Sequence, residues 1–528
     1  MNTAHKQVTE RFIVNHAKLT SRFIATRIQE KLQQHSSYTP KEIQDDLKRE
    51  LGVDVGYSKA WRAKEAALNN INGTFEESYA MLPKYCNDLV NTNPGTTAFV
   101  EKTEDKKFKR MFVAFGAAAK GFAYCHPLLG LDGTHLKSKY LGILLAATSI
   151  DSLGQLFPVA FAVVNAENDE NWLWFLKTLR TTVIQPYAPE FLNNHKLVLL
   201  SDRQKGLIDG VNTVFPGLPH GYCLRHLEEN FHKKFKNVEL KKLLWKAARA
   251  MEKEVYEAAI ADMVKINAGS VPWLQEHAPS QHWSELHFHG RRYGHLTSNI
   301  AESLNTWLLE AREMPVLPML ERIRHQLMGW YDKHRGLETE TVGLLVKPVG
   351  QCIQALINDR SSRYRFLSSN NICFEVKSGI TMTDYLVNIM KKTCSCHAWQ
   401  TTGIPCEHAL AILIALRLDP QAYTQPFFTL EFYRKTYENA IFHPLLGNYQ
   451  FPLIEMLENA SEIDDNEEQS DEESLLPPNT RRPSGRPQKR WIRGGMDQNR
   501  YNKAPRRQNR CGRCKGLGHS KKTCVEAI

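Results

Sequence analysis

The spacing of apolar residues divides the chain into a helical start, a middle of mixed strands and helices, and a polar end. Up to about residue 100, apolar positions recur every three or four residues, as in LTSRFIATRIQEKLQQH, and this period predicts amphipathic helices. Thr39-Pro40 is typical of a helix start, and Gly52 interrupts two helical patterns. The pattern therefore predicts a helical N-terminal region over residues 1–100.

The two short helices on either side of Gly52 allow two interpretations. A helix-turn-helix would carry Lys59, Arg62 and Lys64 on its second helix, where they would contact DNA phosphates. A helical hairpin that only packs on the rest of the chain fits the pattern equally well, because short helical pairs are common.

Strand-length apolar stretches begin after Pro127. LLGLDGTHL, YLGILLAATSID and GQLFPVAFAVV follow each other at short intervals, as in consecutive hairpins. NDENWLWFLKTLRTTVI then predicts a helix, KLVLLSDRQKG a buried strand with a polar end, and the residues up to Phe215 a short helix. The order β-β-β-α-β-α predicts an α/β fold with a mixed sheet over residues 125–310. A helical insertion is expected at about 222–290, and a helical connector at 311–370.

Composition excludes a membrane-spanning role. Of the 528 residues, 42% are hydrophobic and 24% charged, as in soluble globular proteins, and the longest apolar run, at residues 142–150, is shorter than the roughly 18 residues that span a bilayer. The first residues contain no apolar segment of signal-peptide type. We therefore expect the chain in the cytosol or nucleus, with reduced thiols.

The net charge of +11 lies in the C-terminal tail. Residues 481–528 contain 15 Lys and Arg against Asp497 and Glu526, so the rest of the chain is slightly acidic. An acidic run at residues 462–473 comes before this tail. Such blocks of like charge predict a disordered linker over residues 455–510, and its basic part favours a polyanionic partner.

Three acidic residues lie at positions where the fold alone does not explain a charge. Asp132 interrupts the first apolar strand, and Asp202 ends the strand KLVLL, at the edge of an α/β sheet where functional groups gather. Glu302 lies in the helix SNIAESLNTWLL, with Asn305 beside it on the same face. Three converging carboxylates would suit two Mg²⁺ or Mn²⁺ ions, which can catalyse phosphoryl transfer on nucleic acid.

Each acid also has a structural alternative. Asp132 could end its strand in a turn with Gly133-Thr134, and Asp202 could pair locally with Arg203 or Lys205. For Glu302, the spacing from Asn299 fits a helix-capping box.

The segments that carry these acids resemble the Mutator-like (MULE) transposases, whose catalytic domain is RNase H-like with a DDE triad. The resemblance rests on LDGTHLKSKYLGILLAATSID, LLSDRQKGL, CLRH and YGHLTSNIAESLNTWL, in this order, and extends from about residue 30 to residue 524. It implies that Asp132, Asp202 and Glu302 are the catalytic acids. It also implies that Cys223 and His226 match the family's Cys-x-x-His and lie near the active site.

Two clusters of cysteine and histidine predict zinc rather than disulfides in a reducing compartment. The first comprises Cys394, Cys396, Cys406 and His408, after a predicted β-hairpin and before a predicted helix. It resembles the SWIM zinc finger, which we place at residues 371–425. The second, at residues 511–524, comprises Cys511, Cys514, His519 and Cys524 and matches the spacing of a CCHC zinc knuckle, a module that binds single-stranded nucleic acid. Its loop offers Leu517 and Lys515 in place of a stacking aromatic residue, so a contact with protein is the alternative.

The basic segment RRPSGRPQKRWIR offers a third candidate DNA contact. Its Gly485-Arg486-Pro487 resembles the core of an AT-hook, which inserts Arg into the narrow A·T minor groove. A nuclear-import signal is the alternative. The residues expected to contact DNA are Arg482, Gly485, Arg486, Pro487, Lys489 and Arg490.

Together these features predict a nuclear DNA transposase that uses two Mg²⁺ or Mn²⁺ ions for catalysis and two structural Zn²⁺ ions. Its partners would be transposon ends, target DNA and further copies of the chain, because transposition holds two ends together. The alternative is a domesticated, transposase-derived transcriptional regulator that binds DNA without strand transfer. A nuclease of the RNase H class accounts for the acids but not for the insertion and the zinc clusters.

Overall fold

A computed structural model gives the fold of most of the chain. It describes residues 19–35, 38–193, 196–336, 343–360, 364–378, 384–439 and 475–479, apart from the side chains of residues 299–302, 359–360 and 378. The chain divides into two compact units, Met1–Arg482 and Pro483–Ile528, and every described residue belongs to the first.

Five helices open the described chain. They are α1 (Ser21–Gln34), α2 (Pro40–Leu51), α3 (Tyr57–Asn72), α4 (Phe75–Ala80) and α5 (Leu82–Thr92). The predicted start and break are confirmed: Thr39 caps α2 by accepting a hydrogen bond from the Glu42 N–H, and Gly52 ends α2 with a left-handed φ of 68°. The first three helices share a small apolar core of their own.

A seven-stranded mixed sheet forms the centre of the molecule. Its strands are β1 (Thr97–Lys102), β2 (Phe108–Ala114), β3 (Leu128–His135), β4 (Ile143–Ile150), β5 (Leu156–Val164), β6 (Val198–Ser201) and β7 (His220–Tyr222). They lie in the order β1-β2-β5-β4-β3-β6-β7. The β3–β6 and β6–β7 pairs are parallel and the other pairs antiparallel, so the predicted mixed sheet is confirmed.

Strands β3, β4, β5 and β6 were expected, whereas β1, β2 and β7 were not. The prediction of helix over residues 1–100 is wrong at its end, because α5 stops at Thr92 and β1 begins at Thr97. Phe99 and Val100 are residue types that favour strands, and β1 pairs along its length with the largely buried β2. The hairpin with β2 gives this segment its strand conformation, and the helical period of the preceding residues does not extend to it.

Helices cover both faces of the sheet. The first group is α6 (Gly116–Phe122), α7 (Asp169–Leu179), α8 (Gln185–Tyr187), α9 (Pro189–Asn193) and α10 (Lys205–Val214), with a π-helical turn at Arg180–Ile184. Helix α7 packs on α10. The next group begins with α15 (Asn299–Trp307), which packs on β3, β4 and β5, and continues with α16 (Val316–Gly336) and α17 (Lys347–Arg360).

The predicted helical insertion separates these two groups. It contains α11 (Leu224–Phe235), α12 (Val238–Arg249), α13 (Lys253–Ile266) and α14 (Ser270–His277), around a separate apolar core. The Leu224 N–H donates to the Leu296 carbonyl at 2.9 Å, so the insertion begins and ends at neighbouring points of the backbone.

A small sheet and three helices follow. The strands are β8 (Tyr364–Asn370), β9 (Cys373–Ser378), β10 (Asp384–Asn388) and β11 (Thr393–Cys394), and the helices are α18 (Ala398–Thr402), α19 (Glu407–Ala415) and α20 (Leu430–Glu438). The expected hairpin (β9–β10) and helix (α19) of the finger are confirmed. The end of the segment predicted as a helical connector forms strand β8 instead of a helix. Its half-buried Tyr364 and Phe366 alternate with exposed residues along β9, which is the two-residue period of a strand.

No helix in the part of the chain that the structure describes is both long and apolar enough to cross a membrane.

Candidate active site and metal centre

Asp132 lies in the middle of β3, in a strand whose preceding residues are completely buried. The backbone stays extended beyond it to His135, and Asp132 pairs with Ala146 of β4. The alternative in which Asp132 ends its strand in a turn is therefore wrong. A half-buried carboxylate is held in a regular strand instead, where leaving its polar atoms without partners would be costly.

Helix α15 supplies a partner for Asp132. The Asn305 side-chain amide donates to Asp132 Oδ2 at 2.7 Å. The helical period that places Asn305 and Glu302 near one face applies, because both residues lie in α15. The side chain of Glu302 lies outside the described residues, and so does any contact that it makes.

Asp202 follows β6 directly, at the edge where β3 also ends. Because β3 and β6 are adjacent and parallel, their carboxyl ends meet at the same edge of the sheet. Asp202 Oδ1 accepts a hydrogen bond from the Gln204 N–H at 3.1 Å. The local ion pair with Arg203 does not form, since Arg203 donates to the His277 carbonyl at 3.0 Å.

The charges at this edge influence one another. Burial raises the pKa of Asp132 to about 6, and the negative charge of Asp202 adds to the increase. The Asn305 hydrogen bond and the nearby His226 act in the opposite direction and lower it. A divalent cation would favour the ionised form of such a carboxylate, so the residues present fit an oxygen-ligated metal.

Cys223 and His226 lie next to this edge, at the start of α11. The buried Cys223 thiol accepts a hydrogen bond from the Ser298 N–H at 3.3 Å, just before α15. Burial raises the pKa of Cys223, but the hydrogen bond and charge of His226 outweigh burial, and the pKa is lowered. His226 therefore interacts with both Cys223 and Asp132, and the pair lies between the insertion and the helix that carries Glu302.

Two further charged residues lie here without having been singled out from the sequence. Arg312 donates to the Thr134 hydroxyl, two residues beyond Asp132, and Asp132 is one of the charges that act on its guanidinium. Glu167, between β5 and α7, is influenced by the charge of Asp202. No local pattern marks Arg312, because its partner is 178 residues away. Glu167 stands in an acidic stretch that fits an ordinary helix start.

The four predicted ligands of the first zinc cluster converge in the structure. The ligand atoms of Cys394, Cys396, Cys406 and His408 lie within 4.8 Å of one another, and all four residues are buried. His408 directs Nδ1 toward two sulfurs, 3.6 Å from Cys394 Sγ and 3.9 Å from Cys406 Sγ. Three thiols and one imidazole are the donor set of a closed tetrahedral zinc site, so these residues fit Zn²⁺.

Neighbouring residues hold these ligands in place. The Gln400 side chain accepts from the Cys394 N–H at 3.0 Å and donates to the Cys394 carbonyl at 2.8 Å. The Tyr385 ring stacks on the His408 ring, with 3.8 Å between centroids. Partners that orient the first ligands are characteristic of structural metal sites.

The finger also contacts the insertion and the loop that leads to α15. Arg291 of this loop donates from Nε to the Gln400 carbonyl. The Tyr385 hydroxyl donates to Glu252, just before α13, at 3.3 Å. Residues that hold zinc ligands therefore also touch the elements next to the candidate active site.

Two groups of predicted site residues lie outside the described part of the chain. One is the second zinc cluster, Cys511, Cys514, His519 and Cys524, and the other is the DNA-contact set Arg482, Gly485, Arg486, Pro487, Lys489 and Arg490. Both remain predictions from the sequence.

Comparison with known proteins identifies the two folded parts that contain these sites. The family model of the MULE transposase domain matches residues 128–230, a range that contains Asp132, Asp202, Cys223 and His226 but not Glu302. The family model of the SWIM zinc finger matches residues 385–417, which include all four ligands of the first zinc cluster.

A curated plant protein is also similar to part of the chain. Protein FAR1-RELATED SEQUENCE 5 from Arabidopsis thaliana is 23% identical over 206 residues, which are 38% of this chain and 25% of that protein. The similarity thus spans about a quarter of that relative's length. The chain carries a MULE transposase domain followed by a SWIM zinc finger.

Proposed function

We propose that this protein is a DNA transposase whose RNase H-like domain cleaves and joins phosphodiester bonds at transposon ends. One observation carries the proposal. Asp132 interrupts β3, and Asp202 follows β6. These strands are adjacent and parallel, so both acids lie at one edge of the sheet, inside the segment that matches the MULE transposase domain.

The sheet order supports the RNase H-like assignment. Strands β5, β4 and β3 form an antiparallel meander, and β6 and β7 continue the sheet in parallel on the β3 side. This is the mixed β-β-β-α-β-α arrangement expected from the sequence. It places the carboxyl ends of β3 and β6 side by side, where an active site of an α/β sheet belongs.

The chain would use its acids to hold two divalent ions. When bound, Mg²⁺ or Mn²⁺ activates the attacking water or 3′-hydroxyl and stabilises the leaving oxygen. Asp132, Asp202 and Glu302 would be the ligands, and Asn305 would fix the orientation of Asp132 through its 2.7 Å hydrogen bond. Cys223 and His226 would connect the insertion to this site.

The test is metal-dependent cleavage of DNA that flanks the protein's own gene. Asp132→Asn, Asp202→Asn and Glu302→Gln remove one charge each while they keep the size of the side chain. We expect each variant to lose Mn²⁺-dependent cleavage and to retain most of the DNA affinity of the wild type. Asp209→Asn is a matched control, because Asp209 is an exposed acid of α10 close to Asp202 in sequence.

Cleavage at defined ends by the wild type and by Asp209→Asn, but by none of the three acid variants, would support the transposase. A variant of the three acids that cleaves at the wild-type rate would remove that acid from the site.

A second function is a transposase-derived regulator of transcription that binds DNA without strand transfer. It is favoured by the similarity to a plant protein whose name refers to no transposase. Sequence-specific DNA binding by the wild type, with no cleavage in Mn²⁺ and no effect of Asp202→Asn on binding, would support the regulator instead.

Several parts of the chain would contact DNA in either function. In the N-terminal region, the first turns of α3 expose Trp61 and Arg62, as expected of a recognition helix. Lys64 differs from the other predicted phosphate contacts, because burial lowers its pKa and the charge of Glu313 opposes this decrease. Lys64 therefore faces the protein body. The basic tail with its zinc knuckle would add further DNA contacts. A role on DNA implies a nuclear location, and transposition also implies that several copies assemble on DNA.

A further inference from the structure

Glu167 lies at the same sheet edge as the proposed catalytic acids. Because β3 and β5 are both antiparallel to β4, they run in the same direction and end at the same edge. Glu167 follows β5 by three residues, in the short loop before α7. The loop therefore adjoins the ends of β3 and β6, where Asp132 and Asp202 lie.

The carboxylate of Glu167 is held in a fixed position. The Trp172 indole N–H donates to Glu167 Oε1 at 3.2 Å, and Trp172 is completely buried. Hydrogen bonds hold the loop on both sides of Glu167. The Asn171 side chain donates to the Ala166 carbonyl at 2.9 Å, and the Asn168 side chain caps α7 by accepting from the Asn171 N–H at 2.9 Å. A side chain in such a frame has little freedom to turn toward solvent.

The strand beside Asp132 leaves room for this carboxylate. Gly133 has no side chain, and a Cβ at this position would lie 3.1 Å from Glu167 Oε1 and 3.3 Å from its Cδ. These distances are tighter than ordinary contacts, so a larger residue at 133 would push Glu167 away. The glycine next to the first acid thus lets Glu167 rest directly against β3.

The fold does not require a charge at this position. No lysine or arginine of the described residues forms a salt bridge with Glu167. Burial raises the pKa of Glu167 and the charge of Asp202 adds to the increase, whereas the Trp172 hydrogen bond and His135 lower it. A glutamine could also accept the Trp172 hydrogen bond, and it would carry no charge. A carboxylate that buried Trp172 holds against the strand of Asp132 is placed to act together with the two acids.

We propose that Glu167 is a fourth carboxylate of the active site, which would help to hold a divalent ion beside Asp132 and Asp202. This inference rests on the proposed phosphoryl-transfer function and extends it. Residues that orient a metal and its first ligands typically change metal affinity or activity by about 10- to 100-fold when replaced.

The experiment compares Glu167→Gln with Glu170→Gln in the full-length protein. Glu170 is a matched control three residues on, because its side chain is 63% exposed and pairs with Lys109 at 2.8 Å, and the charges that act on it are those of Lys109 and Arg110. Two quantities are measured against Mn²⁺ concentration: the melting temperature without DNA and the rate of DNA cleavage. Asp202→Asn, assayed alongside, establishes which part of the Mn²⁺ response belongs to the site.

We expect Glu167→Gln to melt no lower than the wild type without metal. Its half-saturating Mn²⁺ concentration should rise by about 10- to 100-fold in both assays, whereas Glu170→Gln should respond like the wild type. A wild-type Mn²⁺ response in Glu167→Gln, with the response abolished in Asp202→Asn, would overturn the role of Glu167 and leave the proposed function intact. No Mn²⁺ response in the wild type itself would overturn both.

Discussion

At the scale of single residues, Asp151 is a buried acid outside the candidate active site, and hydrogen bonds hold its carboxylate. It is completely buried in the turn after β4, where its Oδ1 accepts from the Leu153 and Gln155 N–H groups at 2.9 and 2.8 Å. Its Oδ2 accepts from the Tyr437 hydroxyl of α20 at 2.8 Å. Burial raises the pKa of Asp151 to about 6 in spite of these bonds.

Replacing Asp151 by Asn should stabilise the protein at neutral pH. A carboxyl group whose pKa is about 6 in the folded chain and 3.8 as reference costs the fold up to about 3 kcal/mol once it is ionised. The advantage of Asp151→Asn should be full above pH 6 and vanish as the pH falls toward 4. Chemical unfolding of both proteins from pH 4 to 8 measures it.

The groups that face Asp151 decide the sign of this effect. His334 of α16 lies 3.7 Å from Asp151 Oδ2, but burial lowers its pKa to about 4, so it is uncharged at neutral pH and forms no ion pair there. The buried thiol of Cys125 and the hydroxyl of Tyr437 complete the surroundings and are neutral as well, because burial raises the pKa of both. A constant stability difference between pH 4 and 8 would contradict the assignment of the shift to Asp151.

At the scale of elements, the finger and the central sheet have separate apolar cores. Phe374, Val387 and Trp399 belong to the core of the finger, together with three of the zinc ligands, whereas β3, β4 and β5 contribute to the main core. A segment with so small a core depends on its metal for folding. Removal of zinc should therefore unfold the finger and leave the sheet intact.

Hydrogen exchange before and after chelation tests this expectation. Protection should be lost in β9, β10 and α19, and should persist in β3, β4 and β5. The loop around Arg291 should lose part of its protection, because its hydrogen bond to the Gln400 carbonyl requires a folded finger. Cys394→Ser should reproduce the effect of the chelator, and simultaneous loss of protection in β4 would show that the two cores unfold together.

The sequence predicts those elements best whose pattern is local. The strands from β3 to β6, the α2 cap and the finger hairpin follow from period, turn residues and ligand spacing. Asp132 stands out because a charge interrupts an apolar strand. By contrast, Arg312 and Glu167 depend on partners that are distant along the chain, Thr134 for Arg312 and Gly133 for Glu167, and local spacing does not reveal these.

At the scale of the whole molecule, charge is divided between an almost neutral body and a basic tail. The tail from Arg481 to Ile528 carries 15 Lys and Arg and two acids. If it makes 6 to 10 phosphate contacts, the affinity for DNA should fall by about 10³- to 10⁵-fold between 50 and 200 mM salt. Truncation after Asn479 should lower the affinity and flatten this dependence.

The truncation keeps every residue that the structure describes. Leu476 remains, with its N–H donating to the Lys106 carbonyl at 2.9 Å and its carbonyl accepting from the Phe108 N–H at 2.8 Å. Titration of labelled DNA at several salt concentrations measures both quantities. An unchanged salt dependence in the truncated protein would assign the phosphate contacts to the body.

The way the helical insertion joins the catalytic domain has a consequence for how such proteins diversify. One backbone hydrogen bond joins Leu224, at the start of its first helix, to Leu296, in the loop that follows it, and its helices pack on a core of their own. A module attached in this way can be exchanged, enlarged or shortened without moving β3 or β6. An exchange would alter both the interaction of His226 with Asp132 and the contact of Glu252 with Tyr385, so a new insertion must evolve together with the acids and with the finger.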